Sequence, residues 1–251
     1  MKRLFILSLL LLSACGTPSG GGSQPQSNSR GTASAKIHTE LAGMYYERSQ
    51  LGIALAEIEA ALQADRNYAP AYQVRGLIHM TLREDKEAEE DFKQSLHLDK
   101  DDSDTHNNYG WFLCQRDRAK ESIHHFMAAL KNPLYTTPER AYLNAGVCSQ
   151  KAGNLKDASE FLQRALLLQP GSPQALIALA ELNFAKGDYS VAKKYFAEFA
   201  QRIESPSAEQ LWLGVRIERK VGDRNAAANY AVQLRKRFPD AQETQWLMQG
   251  E

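Results

Sequence analysis

Residues 69–102 read APAYQVRGLIHMTLREDKEAEEDFKQSLHLDKDD, and the 34-residue frame they set runs on in both directions. The small residue Gly76 has counterparts at Ala42, Gly110, Gly146, Ala180 and Gly214. A second small column holds Ala54, Ala88, Ser122, Ala158, Ala192 and Ala226, and a bulky one holds Ile58, Phe92, Phe126, Leu162, Phe196 and Tyr230. Every step is 34 residues except the third, which is 36, so all three columns share one insertion. Helix packing accounts for such columns. Within each unit the first column lies on one helix and the other two on the next; a small residue at the crossing lets the axes approach, and the bulky one fills the adjoining gap. Interior glycine costs about 1 kcal/mol of helix propensity relative to alanine, so four glycines at one phase must serve contact or geometry.

The punctuation predicts helical hairpins. Gly153-Asn154 and Gly187-Asp188 mark turns inside units; Asp99 to Asp102, Gln169 to Ser172 and Ser205-Pro206 mark junctions between them. The insertion falls at Pro133-Leu134-Tyr135-Thr136-Thr137-Pro138, where two prolines break the helix. The pattern resembles the tetratricopeptide repeat, a 34-residue helix-turn-helix. The expected fold is all-α: six repeats at 35–68, 69–102, 103–138, 139–172, 173–206 and 207–240, stacked as a right-handed superhelical solenoid with a groove lined by the first helices. The repeat's usual proline is present as Pro170 but replaced by Arg66 and Lys100. Residues 241–251, with Trp246 and Leu247, are expected to cap the last apolar face.

Composition bounds the function. The 251 residues carry 30 basic and 30 acidic side chains and are 43% hydrophobic, which excludes disorder throughout and supplies no basic surface for nucleic acid. At the amino terminus, Lys2 and Arg3 precede an apolar run from Leu4 to Leu12, too short to cross a bilayer and suited to a cleaved leader, residues 1–14. Leu12-Ser13-Ala14-Cys15-Gly16 resembles a bacterial lipobox, which implies acylation of Cys15 and stable attachment to a membrane. Gly16 in place of Asp implies, by the same resemblance, the outer membrane. Residues 15–34 are rich in Gly, Ser, Pro, Gln and Asn and read as a flexible tether with a reach of roughly 25 Å.

Tests for chemistry are negative: no nucleophile stands with a base, no cofactor loop occurs, and no metal-ligand spacing survives, so neither catalysis, cofactor nor small-molecule substrate is expected. Asp99 to Asp104 resembles a calcium loop, but Asp104 occupies the glycine position and Gly110 that of the bidentate glutamate. His124 and His125 are adjacent, so a helix points them about 100° apart; they read as surface histidines unable to share a metal without outside help. His79 and His106 fall on first helices, where they are expected to edge the groove. Cys114 and Cys148 sit at the twelfth and tenth positions of the first helices of repeats 3 and 4, which are spatial neighbours in this architecture. As neighbours they either form a disulfide, in an oxidising compartment, or remain two buried thiols.

In the repeat frame the groove-facing positions include Tyr46, Gln73, Leu77, Met80, Asn107, Trp111, Leu143 and Val147, apolar at the centre and suited to an extended or helical peptide held by a few large anchors. The Lys and Arg pair needed to clamp a terminal carboxylate is missing beside Asn107 and Asn108.

Asn107-Asn108-Tyr109-Gly110-Trp111-Phe112-Leu113-Cys114, the proline-broken insertion, and Asn144-Ala145-Gly146-Val147-Cys148, together with the lipobox and six repeats, resemble the type IV pilus biogenesis lipoproteins of the PilF/PilW family, the pilotins. That resemblance implies a lipid-anchored outer-membrane protein facing the periplasm. Its partner would be the secretin, the pore through which the pilus emerges, whose localisation or multimerisation it assists, supporting pilus stability. The alternative with the same fold is a periplasmic repeat lipoprotein acting as a scaffold for outer-membrane β-barrel assembly or for cell-wall enzymes.

Overall fold

Glycine and its substitutes set the rhythm of the chain. In the computed structural model, which describes residues 24–250, the backbone turns through positive φ at Ser49, Arg83, Asp117, Gly153, Gly187 and Gly222, each time between two antiparallel helices. The left-handed conformation closes the end of the preceding helix: at Gly187 the amide donates back to the Asn183 and Phe184 carbonyls. Repeats 1 to 3 reach the same conformation with Ser, Arg and Asp, which lack glycine's freedom.

The helices so delimited are α1 (Gln24–Glu47), α2 (Leu51–Ala64), α3 (Ala69–Leu82), α4 (Asp85–Leu98), α5 (Ser103–Gln115), α6 (Ala119–Ala129), α7 (Pro138–Lys151), α8 (Leu155–Leu168), α9 (Pro173–Lys186), α10 (Tyr189–Ala200), α11 (Ala208–Val221), α12 (Arg224–Arg237) and α13 (Gln242–Gln249). No strand occurs among the described residues. Starts are capped by the chain itself. Asp102 accepts from the Thr105 amide at 2.7 Å, so the acidic stretch from Asp99 supplies a helix cap. Ser207 and Gln210 form a reciprocal capping box on α11.

Odd-numbered helices touch their successors in the odd series, α1 against α3 through α9 against α11, whereas even-numbered helices from α2 to α12 touch only odd ones. One edge of the stack is thus drawn together and the other splayed, which makes α1, α3, α5, α7, α9 and α11 the inner wall. The repeat columns explain the pairing inside each unit. A Cβ placed on Gly76 would lie 2.9 Å from the Phe92 ring, on Gly110 2.8 Å from Phe126, and on Gly146 2.5 Å from Leu162 Cγ. At Gly214 the obstruction is Phe196 of the preceding repeat, at 2.7 Å. Ala42 and Ala180 are fully buried at the same phase. The bulky column from Ile58 to Phe196 is buried throughout, so each missing Cβ is occupied by an aromatic or branched side chain.

The amino-terminal boundary needs correction. Residues 24–34, read above as the second half of a tether, are the first turns of α1. They are held by contact: Gly31 crosses so close to α2 that a Cβ there would stand 2.7 Å from the Ala64 carbonyl oxygen, and Thr32 Oγ1 donates to Asp65 at 2.7 Å. Once Ala35 and Thr39 are buried below them, adding turns to an existing helix avoids the nucleation step that a Gln/Ser/Asn-rich segment could not make alone. The leader and Cys15 lie outside the described residues. At the other end α13 packs Trp246 and Leu247 on the cluster of Leu211, Trp212 and Leu234 and closes the last repeat. No helix of the described residues is long and apolar enough to cross a membrane.

Candidate functional site

Half-buried apolar side chains follow the inner wall from repeat to repeat. Tyr46 on α1 packs on the first core cluster, and its hydroxyl lies 3.1 Å from Thr81 Oγ1 on α3, joining repeats 1 and 2. Leu77 and Met80 on α3 rest on Phe92, Tyr109, Phe112 and Leu113. Trp111 on α5 covers Cys114, Phe126, Ala145 and Cys148, while Leu143 and Val147 on α7 lie against Leu162, Leu179 and Leu182. With the half-buried Gln73, these residues keep one part of each side chain in the core and leave the other accessible. A shallow cleft of about 390 Å³ near Cys114 is lined by Asp117, Arg118, Glu121 and Lys151. Another, of about 310 Å³, lies beside Leu143 and Arg140.

Asn107 does not belong to the accessible wall. Its side chain is 1% exposed and accepts at 3.0 Å from Asn144 Nδ2 on α7. A buried amide must be satisfied internally, and here the next repeat satisfies it. Three of the four histidines also need correction. His79 is turned to the hairpin, with Nδ1 2.5 Å from Glu84 and Nε2 3.7 Å from Asp91, so it does not edge the groove. His106 faces α6, where it meets His125. Only His124 is exposed; His125 lies against the Tyr109 ring with centroids 4.5 Å apart. Burial, reinforced by His106 and His124, brings its pKa down to about 4.

Cys114 and Cys148 are joined by a disulfide with Cα atoms 5.8 Å apart, which ties α5 to α7 directly under Trp111. Lys151 Nζ donates to the Cys114 carbonyl at 3.3 Å across the same junction. Closing a loop of this length restricts the unfolded chain by about 3–4 kcal/mol. Reduction, or the Cys114→Ala/Cys148→Ala double variant, is therefore expected to lower unfolding free energy by about 2–4 kcal/mol with helical content retained. Urea melts followed by circular dichroism test this; a change below about 0.5 kcal/mol would show that the bond does not stabilise the fold.

Repeats 2 and 3 are further joined through Glu89, which accepts from Tyr109 Oη at 3.0 Å, from Arg118 at 2.9 Å and from Lys93 at 2.7 Å. Burial pushes this carboxyl up, but the hydrogen bonds from Lys93, Arg118 and Tyr109 outweigh it and bring the pKa down to about 2. A carboxyl with a depressed folded pKa contributes stability that is complete above its unfolded value near 4.5 and is lost as pH falls towards 2. Glu89→Gln should therefore melt below wild type at pH 7, with the gap closing between pH 4.5 and 2. A gap independent of pH in thermal melts would contradict that.

Sequence reasoning missed the Glu89 hub, the Asn107 to Asn144 bridge and the His106 to His125 contact. Only the second had a signal: the two asparagines fall at adjacent places in the repeat frame of successive repeats.

The family model for the tetratricopeptide repeat matches residues 69–102 and 139–172, which are α3–α4 and α7–α8 with their junctions. The crystal structure of PilW, a widely conserved type IV pilus biogenesis factor, matches with a TM-score of 0.81 and 38% identity, covering 85% of this chain and 98% of that one. The type IV pilus assembly protein PilF of Pseudomonas aeruginosa is 28% identical over 244 residues, 97% of this chain and 96% of its own length. The solved structure of Pseudomonas aeruginosa PilF matches with a TM-score of 0.80 and 27% identity, over 88% and 99% of the two chains.

Proposed function

Since the chain belongs to the PilF/PilW family of tetratricopeptide-repeat proteins of type IV pilus assembly, we propose that it is a non-enzymatic adaptor, held on the periplasmic face of the outer membrane by acylated Cys15, whose groove binds the pilus secretin during its localisation and multimerisation. The observation that carries this reading is the apolar inner wall, with Leu77, Met80, Trp111, Leu143 and Val147 half-buried on three successive first helices. Groove sites of this kind take a peptide by a few large anchors. Eight residues, 16–23, separate Cys15 from Gln24 at the start of α1, so an acylated Cys15 would tether the array to the lipid surface by a short link.

Trp111 is the central anchor. Trp111→Ala is expected to weaken capture of the secretin by at least about 30-fold, the equivalent of a 2 kcal/mol anchor, with the melt of the free protein as a control for packing. A chain lacking the leader, presented to solubilised secretin and to crosslinked envelope proteins, provides the measurement. Capture of β-barrel assembly or cell-wall factors in place of the secretin would reassign the client, and unchanged secretin oligomers in a deletion strain would reject the adaptor role. Cys15→Ala should release the protein from the membrane fraction while leaving affinity in solution intact.

A further inference from the structure

The ninth position of each repeat, which gives Leu77, Trp111 and Val147 to the inner wall, reads Gly43, Leu77, Trp111, Val147, Glu181 and Val215 along the chain. Five are glycine or apolar and one is a carboxylate. On α9 the fully buried Leu176, Leu179, Ala180 and Leu182 surround Glu181, and the accessible stripe of the helix is Gln174, Ile177, Glu181 and Phe184, at helical spacing. Glu181 is exposed on that stripe, between the half-buried Ile177 and Phe184. Among the described residues no hydrogen bond or ion pair reaches it. The charge that bears on it is Glu209 of α11, of the same sign; burial in the hollow, with this repulsion, holds the Glu181 carboxyl above the usual carboxylate range. Cations of the neighbouring helices are engaged elsewhere: Arg216 lies 4.4 Å over the Phe184 ring, and Lys193 donates to Glu218 and Asp223.

A partly desolvated carboxylate without a counter-charge costs the free protein stability, and a ligand that brings the opposite charge removes that cost. On the footing of the peptide-binding groove proposed above, we infer that Glu181 receives a lysine or arginine of the bound segment, so the client is a stretch with large apolar residues over Leu77 and Trp111 and a basic residue further along. Trp111 and Glu181 stand on α5 and α9, with α7 between them in the wall. Helices packed at about 8–10 Å put the two residues roughly 16–20 Å apart, which an extended chain covers in about five or six residues. Glu209, exposed on α11, continues the negative end of the groove and sets the direction: apolar anchors over repeats 2 to 4, positive charge towards repeats 5 and 6. The apolar positions supply affinity, and the carboxylate fixes register and rejects segments that lack the cation.

Panning a displayed library of random peptides against the chain lacking the leader tests this chemistry without knowledge of the client, with Trp111→Ala as the control for binding in the groove. Peptides that require Trp111 should carry Lys or Arg about five or six residues from an aromatic or large aliphatic residue. Panning against Glu181→Gln should lose the basic position and keep the apolar one. For a peptide so selected, Glu181→Gln should weaken binding at least about fivefold at low salt, with the gap narrowing as salt is raised, and Glu181→Lys should weaken it further. Since the side chain is exposed and unpaired, Glu181→Gln should melt no lower than wild type, which separates lost recognition from lost packing. Groove binders without a basic preference, or equal affinities of wild type and Glu181→Gln, overturn the inference. Absence of any Trp111-dependent binder rejects the groove itself and the inference with it. Secretin capture is a separate measurement: its failure with the wild-type chain rejects that client, whereas the basic preference stands or falls with the panning result.

Discussion

Phe126→Ala is expected to destabilise the protein by about 3–5 kcal/mol, the range for truncating a fully buried aromatic ring. Phe126 is 0% exposed, and its ring fills the space above Gly110 where a Cβ would stand. It shares a cluster with Cys114, Ala145 and Cys148, covered by Trp111. The disulfide holds α5 and α7 in place, so the walls have little freedom to collapse into the vacated volume, which places the effect towards the upper end. For a chain of this size the melting temperature should fall by roughly 8–15 °C. A loss below about 1 kcal/mol in a urea melt would mean that the ring is not packed as the glycine column requires.

The second large effect separates contact from propensity. Gly146→Ala adds a Cβ 2.5 Å from Leu162 Cγ, 2.7 Å from its Cδ2 and 3.1 Å from its backbone nitrogen, so rotating the leucine side chain does not clear the clash. Alanine improves helix propensity by about 1 kcal/mol, and overpacking opposes it by about 1–3 kcal/mol. We expect a net loss for Gly146→Ala and about 3 kcal/mol for Gly146→Val. Gly43, also inside a first helix, has nothing within 4 Å of a built Cβ, and Gly43→Ala should stabilise by up to about 1 kcal/mol. The same chemical change thus acts with opposite sign at two helical glycines. If both stabilise, the column at Gly76, Gly110, Gly146 and Gly214 reports something other than helix contact.

Periodicity exposed the fold because each repeat solves one packing problem with one set of residue sizes; Gly76 against Phe92 and Gly110 against Phe126 are the same solution. Where a residue's role depends on its neighbour's chemistry, the pattern is silent. The frame placed Asn107 on the groove side, but it does not encode that Asn144 of the next helix reaches it. His106 and His125 are 19 residues apart, on different helices, and lie in no shared column. The start of α1 was hidden for another reason: Gln24 to Ser34 have coil-like composition, and it is Gly31 against Ala64 that holds those turns on the body. The groove residues Tyr46, Leu77, Met80, Trp111, Leu143 and Val147 emerged half-buried on the inner wall, since their phase on the helix follows from the frame alone.

A stack in which each unit touches only those beside it transmits tension in series, so a pull between its two ends loads every junction equally and the weakest yields first. The bridge between Cys114 and Cys148 takes one junction out of that series: the chain within its closed ring, whose ends are 34 residues apart, adds no contour length however hard the termini are drawn. Repeats 1 and 2 can peel away from one side and repeats 5 and 6 from the other, but a cross-linked middle remains and gives the ends a place from which to rewind.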